Sequence, residues 1–354
     1  MATIITLIPG DGIGPEVTAA ARAVVDAAGA NVQWECVDAG MSSLERTGVA
    51  VPEAVYESVL RNRVALKGPL GNTFGGDFRV TRKARRAHGR IEERSYPGPT
   101  IALRGELELF ANVRPAKSFE GIASRYRDID LVLFRENSED LYLGLERMVD
   151  ENTAEAVKRI TRSGSERMAC FVADYMQRTG RRRVTIGHKS NVLKLTDGLF
   201  LDACKETLAN YPAIAVDSRV VDALCMELVM RPERFDCLLL PNLYGDILSD
   251  LTAGLVGGLG VAPGANIGAD CAVFEAVHGC APDLVGQDRA NPCSLILSAA
   301  MMLRYIGEDE AARRIETALR SVLRAGTPLT RDLGGSACTT EMTAAIVTRL
   351  GEVS

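Results

Sequence analysis

The run Cys237-Leu238-Leu239-Leu240-Pro241-Asn242-Leu243-Tyr244-Gly245-Asp246-Ile247-Leu248-Ser249-Asp250 decides how this chain is read. Four consecutive apolar residues ended by a proline predict a short buried strand. A helix is expected to start near Gly245. On that helix Asp246 and Asp250 are four residues apart, so both carboxylates lie on one face. Two adjacent carboxylates repel unless a cation sits between them, and hard oxygen ligands at this spacing suit Mg²⁺ or Mn²⁺. The competing reading is an acidic turn that complements the helix dipole.

Outward from this run, strand-like and helical segments alternate. Strands are expected at 4–8, 64–66, 130–134, 183–186 and 237–240, and helices at about 15–28, 292–306 and 308–325. Polar residues cluster just after the strand ends, at Lys67-Gly68-Pro69, Arg135-Glu136-Asn137 and Gly187-His188-Lys189. Ligands of α/β folds bind at such strand ends. The segment from Gly254 to Gly268 is glycine-rich, and no internal repeat is visible.

Composition narrows the function classes. The chain has 354 residues, 47% hydrophobic and 25% charged, as in ordinary soluble domains, and can form two modest domains or one large α/β unit. A net charge of -5 gives no field that draws the chain to nucleic acid or anionic membrane. No apolar run reaches the roughly 18 residues of a membrane span. The N-terminus lacks a basic region ahead of its apolar run and reads as a first strand, not a signal peptide. Nine scattered cysteines without Cys-x-x-Cys spacing fit a reducing cytoplasm, where the protein is expected to reside. Three histidines exclude a His-rich metal site.

The segment Thr81-Arg82-Lys83-Ala84-Arg85-Arg86-Ala87-His88-Gly89-Arg90 is densely basic. It reads either as a solvated surface loop or as a lid that brings cations to an anionic substrate.

Several blocks then line up in order along nearly the whole chain. They are Ile8-Pro9-Gly10-Asp11-Gly12-Ile13-Gly14-Pro15-Glu16, Lys67-Gly68-Pro69-Leu70, Ala111-Asn112-Val113-Arg114-Pro115, Arg135 to Tyr142, His188 to Gly198, Gly245 to Asp250, and Glu275 to Asp283. The set resembles the β-decarboxylating dehydrogenases, which include isocitrate, homoisocitrate, 3-isopropylmalate and tartrate dehydrogenases. It is most similar to their NAD-dependent isocitrate dehydrogenase branch. The resemblance implies an α/β, isopropylmalate dehydrogenase-like two-domain fold with a non-Rossmann cofactor site, consistent with the absence of Gly-x-Gly-x-x-Gly after a strand. It also implies a large cofactor-binding domain from residues 1–108 and 258–354, and a small domain from 109–257 that supplies a dimer interface and an interlocking arm. Members are homodimers whose active sites take residues from both subunits.

The implied reaction is metal-dependent oxidation of a 2-hydroxy acid by NAD, then loss of the carboxylate β to the new ketone. The resemblance assigns Asp246 and Asp250 as metal ligands from one subunit and Asp222 from its partner. Asp222 sits among Val220, Val221, Ala223 and Leu224, where an unpaired carboxylate is costly; an arginine partner is the alternative to a metal. Lys189 matches the lysine that assists hydroxyl deprotonation across the dimer, a task that burial near a metal and arginines would favour; the alternative is a surface lysine. Tyr142 matches the tyrosine that protonates the enolate. Arg104, Arg114 and Arg135 match the carboxylate clamps, with Asn191 beside the substrate. Asn72, Glu275, His278, Gly279, Ala281, Asp283 and Asn291 match NAD contacts. Asp283 falls on the adenosine ribose, where a carboxylate repels a 2′-phosphate and so favours NAD over NADP.

The match breaks before Arg104. The Ser-x-Asn of isocitrate-specific members is replaced by Gly98-Pro99-Thr100, the nearest serine is Ser95, and Asn72-Thr73 stands for the usual Thr-Pro. Tyr96 to Arg104 resembles the homoisocitrate type, whereas Arg135 to Tyr142 resembles the isocitrate type. Isocitrate is the expected substrate, with homoisocitrate, 3-isopropylmalate or a phosphonate analogue of isocitrate as alternatives. A non-catalytic regulatory subunit is the other reading, opposed by the presence of every catalytic group.

Overall fold

Why the apolar runs become one sheet is visible in a computed structural model that describes residues 2–71, 78–85 and 91–352. The strands are β1 (Thr3–Ile8), β2 (Val32–Cys36), β3 (Val64–Lys67), β4 (Val80–Arg85), β5 (Ile91–Tyr96), β6 (Ala111–Lys117), β7 (Asp130–Glu136), β8 (Glu146–Asp150), β9 (Thr153–Ala156), β10 (Arg183–His188), β11 (Ala215–Val220), β12 (Cys237–Leu240), β13 (Pro263–Ile267) and β14 (Ala272–Ala276). Ten of them form one sheet in the order β11-β10-β12-β7-β6-β13-β14-β3-β1-β2. Its two wings are parallel. The centre is antiparallel, from β7 through β6 and β13 to β14.

Alternation along each strand sorts side chains to the two faces. Leu7, Leu66, Phe134 and Leu239 join the large apolar layer that holds the Arg162–Thr179, Cys293–Tyr305 and Asp309–Ala325 helices. Their neighbours face the other way. Ile8 and Ala65 pack in a second cluster under the β3-β1-β2 wing, and Leu133 and Leu238 in a third under the other wing. This is the α/β two-domain fold expected from the sequence. The expected strands and helices are present within one or two residues of their expected bounds, but β13 occupies part of the stretch read as merely glycine-rich.

Two further differences bear on the site. The helix with the paired carboxylates spans Asn242–Leu255 and begins before Gly245. Its first turn is closed from outside, because the Asp140 carboxylate accepts from the Leu243 N–H at 3.0 Å. Asp246 therefore lies beyond the first turn, which holds no acidic residue, so the dipole reading of this pair falls. In its described part, residues 81–85, the basic segment is a strand and not a solvated loop. β4 and β5 pair antiparallel, with Arg82 opposite Arg94. Arg82 bonds Glu53 and the buried Glu106 and lies 4.0 Å over the Tyr56 ring, which docks the hairpin. Arg86, His88 and Arg90, like Asn72, lie outside the described residues.

The N-terminal motif forms the turn after β1. Gly10 and Gly12 have φ of +78° and +63°, and a side chain at Gly12 would collide with the Cys280 carbonyl. Ile13 N–H donates to that same carbonyl at 2.9 Å, so the turn is sewn to the 278–283 loop.

Candidate active site

The end of β7 and the Asn242–Leu255 helix bring the chemistry together. Arg135, only 1% exposed, donates through Nε to Asn242 Oδ1 at 2.8 Å and through a terminal nitrogen to Asp246. The Tyr142 hydroxyl donates to the other oxygen of Asp246, and the Arg135 guanidinium lies 4.6 Å over the Tyr142 ring. Burial would push the Asp246 carboxyl up, but Arg135 and the Tyr142 hydroxyl outweigh it and hold it low. Burial, then the bond to Asp246, push the Tyr142 phenol up to about 12, so it keeps its proton. Asp250 lies one helical turn on. Its carboxyl is raised by burial and by the charge of Asp246, a condition that a cation between the two would relieve.

A second cluster surrounds Glu275 at the end of β14. Lys67 Nζ is 2.8 Å from one carboxylate oxygen, and Arg104 is 2.9 Å from the other. Asn266 donates to it at 2.7 Å, and Arg114 stands 3.7 Å away with its Nε on Asn112 at 2.9 Å. Burial alone would raise Glu275, but Lys67, Arg104 and Arg114 hold it well below the usual carboxylate range. Burial lowers Arg114 to about 10. Among the described residues two buried donors of this corner lack a partner, Arg104 Nε and one terminal nitrogen of Arg135, and so does the acceptor Asn137 Oδ1. Native proteins seldom leave such groups unmatched. A cavity of about 260 Å³ is lined by Arg104 and Asn137, with Arg94, Ser95, Tyr96 and Tyr142 among others.

The remaining residues lie apart from this corner. Lys189 pairs with Asp222 at 2.7 Å. Asp222 is exposed, not set in an apolar pocket as expected. Leu224 and Leu228 take the inward face of the Val221–Met230 helix and turn Asp222 outward. The bond from Lys189 holds its carboxyl low. Within its own chain Lys189 has its ion pair with Asp222. Asn191 is exposed on the loop that follows. Among the described residues no three His, Cys, Asp or Glu side chains are grouped to hold a metal ion, so Asp222 does not join Asp246 and Asp250 within one chain.

The proposed cofactor loop follows β14. His278 Nδ1 is 3.0 Å from the Gly279 carbonyl, its buried Nε2 has no partner among the described residues, and burial lowers its pKa. Gly279 and Asp283 are exposed, and Ala281 adopts a left-handed φ of +41°. The side chain of Asn291 is already engaged, donating to Asp332 at 2.8 Å and accepting from Cys293 N–H at 2.9 Å. Sequence reading missed the role of Lys67 against Glu275, although Lys67 opens one of the motif blocks. It also missed Asn242 and Asp140, whose contacts join segments about a hundred residues apart.

The chain matches the family model described as isocitrate/isopropylmalate dehydrogenase over residues 4–346. It is 42% identical over 352 residues to the NAD-dependent isocitrate dehydrogenase alpha subunit, mitochondrial, of Macaca fascicularis, covering 99% of this chain and 96% of that one. It is 44% identical over 346 residues to mitochondrial NAD-dependent isocitrate dehydrogenase catalytic subunit 5 of Arabidopsis thaliana, covering 98% and 88%. Its structure superposes on that of isocitrate dehydrogenase from Methylococcus capsulatus with a TM-score of 0.90 at 47% identity, covering 99% of both chains. The cytoplasmic location expected from cysteine usage is overturned by these relatives, since those from mammals, nematode, fly and plant are mitochondrial proteins. Unpaired thiols report a reducing compartment and do not say which one. By the match over nearly its whole length, this chain belongs to the isocitrate/isopropylmalate dehydrogenase family and is an oxidoreductase of the isocitrate type, with the NAD and divalent-metal dependence that the family implies.

Proposed function

We propose that this enzyme oxidises and decarboxylates isocitrate to 2-oxoglutarate at the Tyr142–Asp246 corner, passing hydride to NAD, and that each site is completed by Lys189 and Asp222 of a second copy. The observation that carries this reading is the convergence of Arg135 and Tyr142 on Asp246, with Tyr142 also lining the cavity that Arg104 enters.

The unpartnered donors of Arg104 and Arg135 supply bonds to substrate carboxylates. Tyr142, kept protonated, holds the proton that the enolate carbon receives. Lys189 takes the hydroxyl proton in the partner's site. Asp246 and Asp250 fit a divalent ion because two carboxylates one turn apart, one of them raised by the other, offer hard oxygens that want a cation. When bound, that ion polarises the substrate hydroxyl and stabilises the enolate. The third carboxylate must come from another chain, which favours Asp222 of a second copy. Exposed Val192, Leu195, Met226, Met230 and Ile247 lie in or near the Lys189–Asp222 and Asp246–Asp250 segments and favour a homodimer face there. The β8–β9 hairpin, exposed along both strands, suits the arm. The division at about residues 108 and 258 assigns β6 and β13, which pair in the one sheet, to different domains. His278, Gly279, Ala281, Asp283 and Asn291 frame the adenosine side of NAD, with Glu275 towards the nicotinamide.

A second reading of the substrate is favoured by Arg94. It lines the cavity beside Ser95 and Tyr96, and its ion pair is with the half-exposed Glu92 at 3.2 Å. That cation suits a more anionic distal arm, as in the phosphonate analogue. The test is NAD reduction by the purified chain with Mg²⁺ over isocitrate, homoisocitrate, 3-isopropylmalate, malate, tartrate and phosphonate analogues. Metal-dependent turnover led by isocitrate is expected. No turnover with any of them would sink the proposal.

A further inference from the structure

Lys158 lies between β9 and the Arg162–Thr179 helix, at the foot of the β8–β9 hairpin. Its Nζ is 2.5 Å from Asp197 Oδ1 and 3.7 Å from Asp140 Oδ1, and it sits 4.5 Å over the Tyr244 ring. Both carboxylates are fully buried. Among the described residues neither forms an ion pair with any other cation.

Each carboxylate also accepts from a backbone that carries a catalytic group. Asp197 Oδ2 accepts from the Lys189 N–H at 2.6 Å. Asp140 accepts from Leu141 N–H at 2.9 Å and from Leu243 N–H at 3.0 Å. Leu141 precedes Tyr142, and Leu243 opens the helix of Asp246 and Asp250. Asp140 itself has a φ of +74°, a strained conformation for a residue with a side chain, held by its own N–H on the Arg159 carbonyl at 2.8 Å. Residue 159 is the chain neighbour of Lys158, so the same short segment fixes Asp140 twice.

We propose that Lys158 is a positioning residue that clamps together two half-sites of one chain, the Tyr142–Asp246 corner and the loop of Lys189. This rests on the shared-site reading given above: the first half serves the chain's own reaction and the second its partner's. Two buried carboxylates repel without a cation between them, and one ammonium bridging both fixes the distance between their backbone partners. Without Lys158 both carboxylates must find water or protons, and both loops shift. Misplacement by an ångström is enough to cost about a hundredfold in rate.

The experiment compares Lys158→Met and Lys158→Arg with wild type. It uses steady-state kinetics with isocitrate, NAD and Mg²⁺, and amide hydrogen exchange on the metal-free protein. In Lys158→Met, kcat should fall at least about tenfold with KM for NAD unchanged, while the amides of Leu243 and Lys189 both lose protection and those of β7 keep theirs. Lys158→Arg should restore most of kcat. Unchanged kcat, or loosening of one amide alone, would overturn the clamp. If Lys158→Met does not fold, Lys158→Met with Asp197→Asn takes its place, since the new amide oxygen still accepts from the Lys189 N–H. Leu243 should then loosen alone with kcat still low, and wild-type kcat would overturn the proposal. A wild-type chain that oxidises no hydroxy acid would instead refute the proposed function, and the exchange data would still decide the clamp.

Discussion

Replacing Arg82 with methionine probes whether the basic hairpin is built into the enzyme or merely attached to it. Arg82 is 14% exposed and bonds Glu106, whose side chain is fully buried, at 2.5 Å. Breaking a buried pair by removing one partner costs roughly 3–5 kcal/mol. The lower end applies, because Tyr96 still donates to Glu106 at 2.6 Å. The Glu53 half of the contact is 55% exposed and adds about 0–1 kcal/mol. Methionine keeps the packing on Tyr56 and forfeits the cation–π attraction, about 0.5–1 kcal/mol. The sum is about 4 kcal/mol, or a fall of roughly 8 °C in Tm at about 2 °C per kcal/mol for a large domain. The undocked hairpin would also withdraw Arg94, Ser95 and Tyr96 from the substrate cavity. The assay is paired: thermal unfolding, and KM for the hydroxy acid and for NAD. KM for the hydroxy acid should rise and KM for NAD should hold. An unchanged Tm together with an unchanged KM would refute the docking argument. Arg94→Ala separates the two effects, because Arg94 is itself exposed and its ion pair is with the half-exposed Glu92, so KM should rise with Tm unmoved.

EDTA should abolish turnover and Mg²⁺ or Mn²⁺ restore it, and Asp250→Asn should weaken Mn²⁺ binding, read by EPR, in a protein that still melts cooperatively. Metal-free Asp250→Asn should be more stable than wild type at pH 7. The carboxyl is raised in the folded chain, so its ionisation penalises the fold increasingly as pH rises from the ordinary carboxylate range, and the advantage of Asn should vanish below about pH 4. NAD should be preferred over NADP by kcat/KM, and Asp283→Lys with Leu284→Tyr should move that preference. Given the β-keto acid, Lys189→Met should reduce it poorly yet decarboxylate it better than Tyr142→Phe does; equal loss of both partial reactions in both variants would contradict the division of roles.

Much of the fold was legible because several inner strands of the two wings are apolar runs, such as Cys237 to Leu240, whereas the edge strands β2 and β11 carry polar residues and were not expected. The centre of the sheet was harder to read, for a reason tied to function. In β6, buried Asn112 and Arg114 break the apolar pattern, and in β13 Asn266 does the same. These residues are polar because they bond one another and Glu275. The site thus hides the strands that carry it. Asp222 misled in the opposite direction, since its apolar neighbours suggested burial until helical periodicity turned Leu224 and Leu228 inward and left the carboxylate outside. No sequence spacing pairs Asp140, Lys158, Asp197 and Leu243, because only the folded chain brings them together.

On the proposed reading, that placement would let one chain hold two incomplete catalytic sets. Tyr142, Asp246 and Asp250 gather at one corner, and Lys189 with Asp222 points elsewhere, matched to each other instead of to substrate. The Lys189–Asp222 pair is partly exposed, so its attraction is modest and is readily exchanged for other partners. A second copy could draw Asp222 to a divalent ion and free Lys189 for the hydroxyl proton at little cost. Dimerisation would then switch the chemistry on without rearranging either corner, provided that the two half-sites are held at a fixed separation. A dilution series should accordingly show specific activity falling with the dimer fraction, measured by sedimentation, and activity retained by the isolated monomer would break this account.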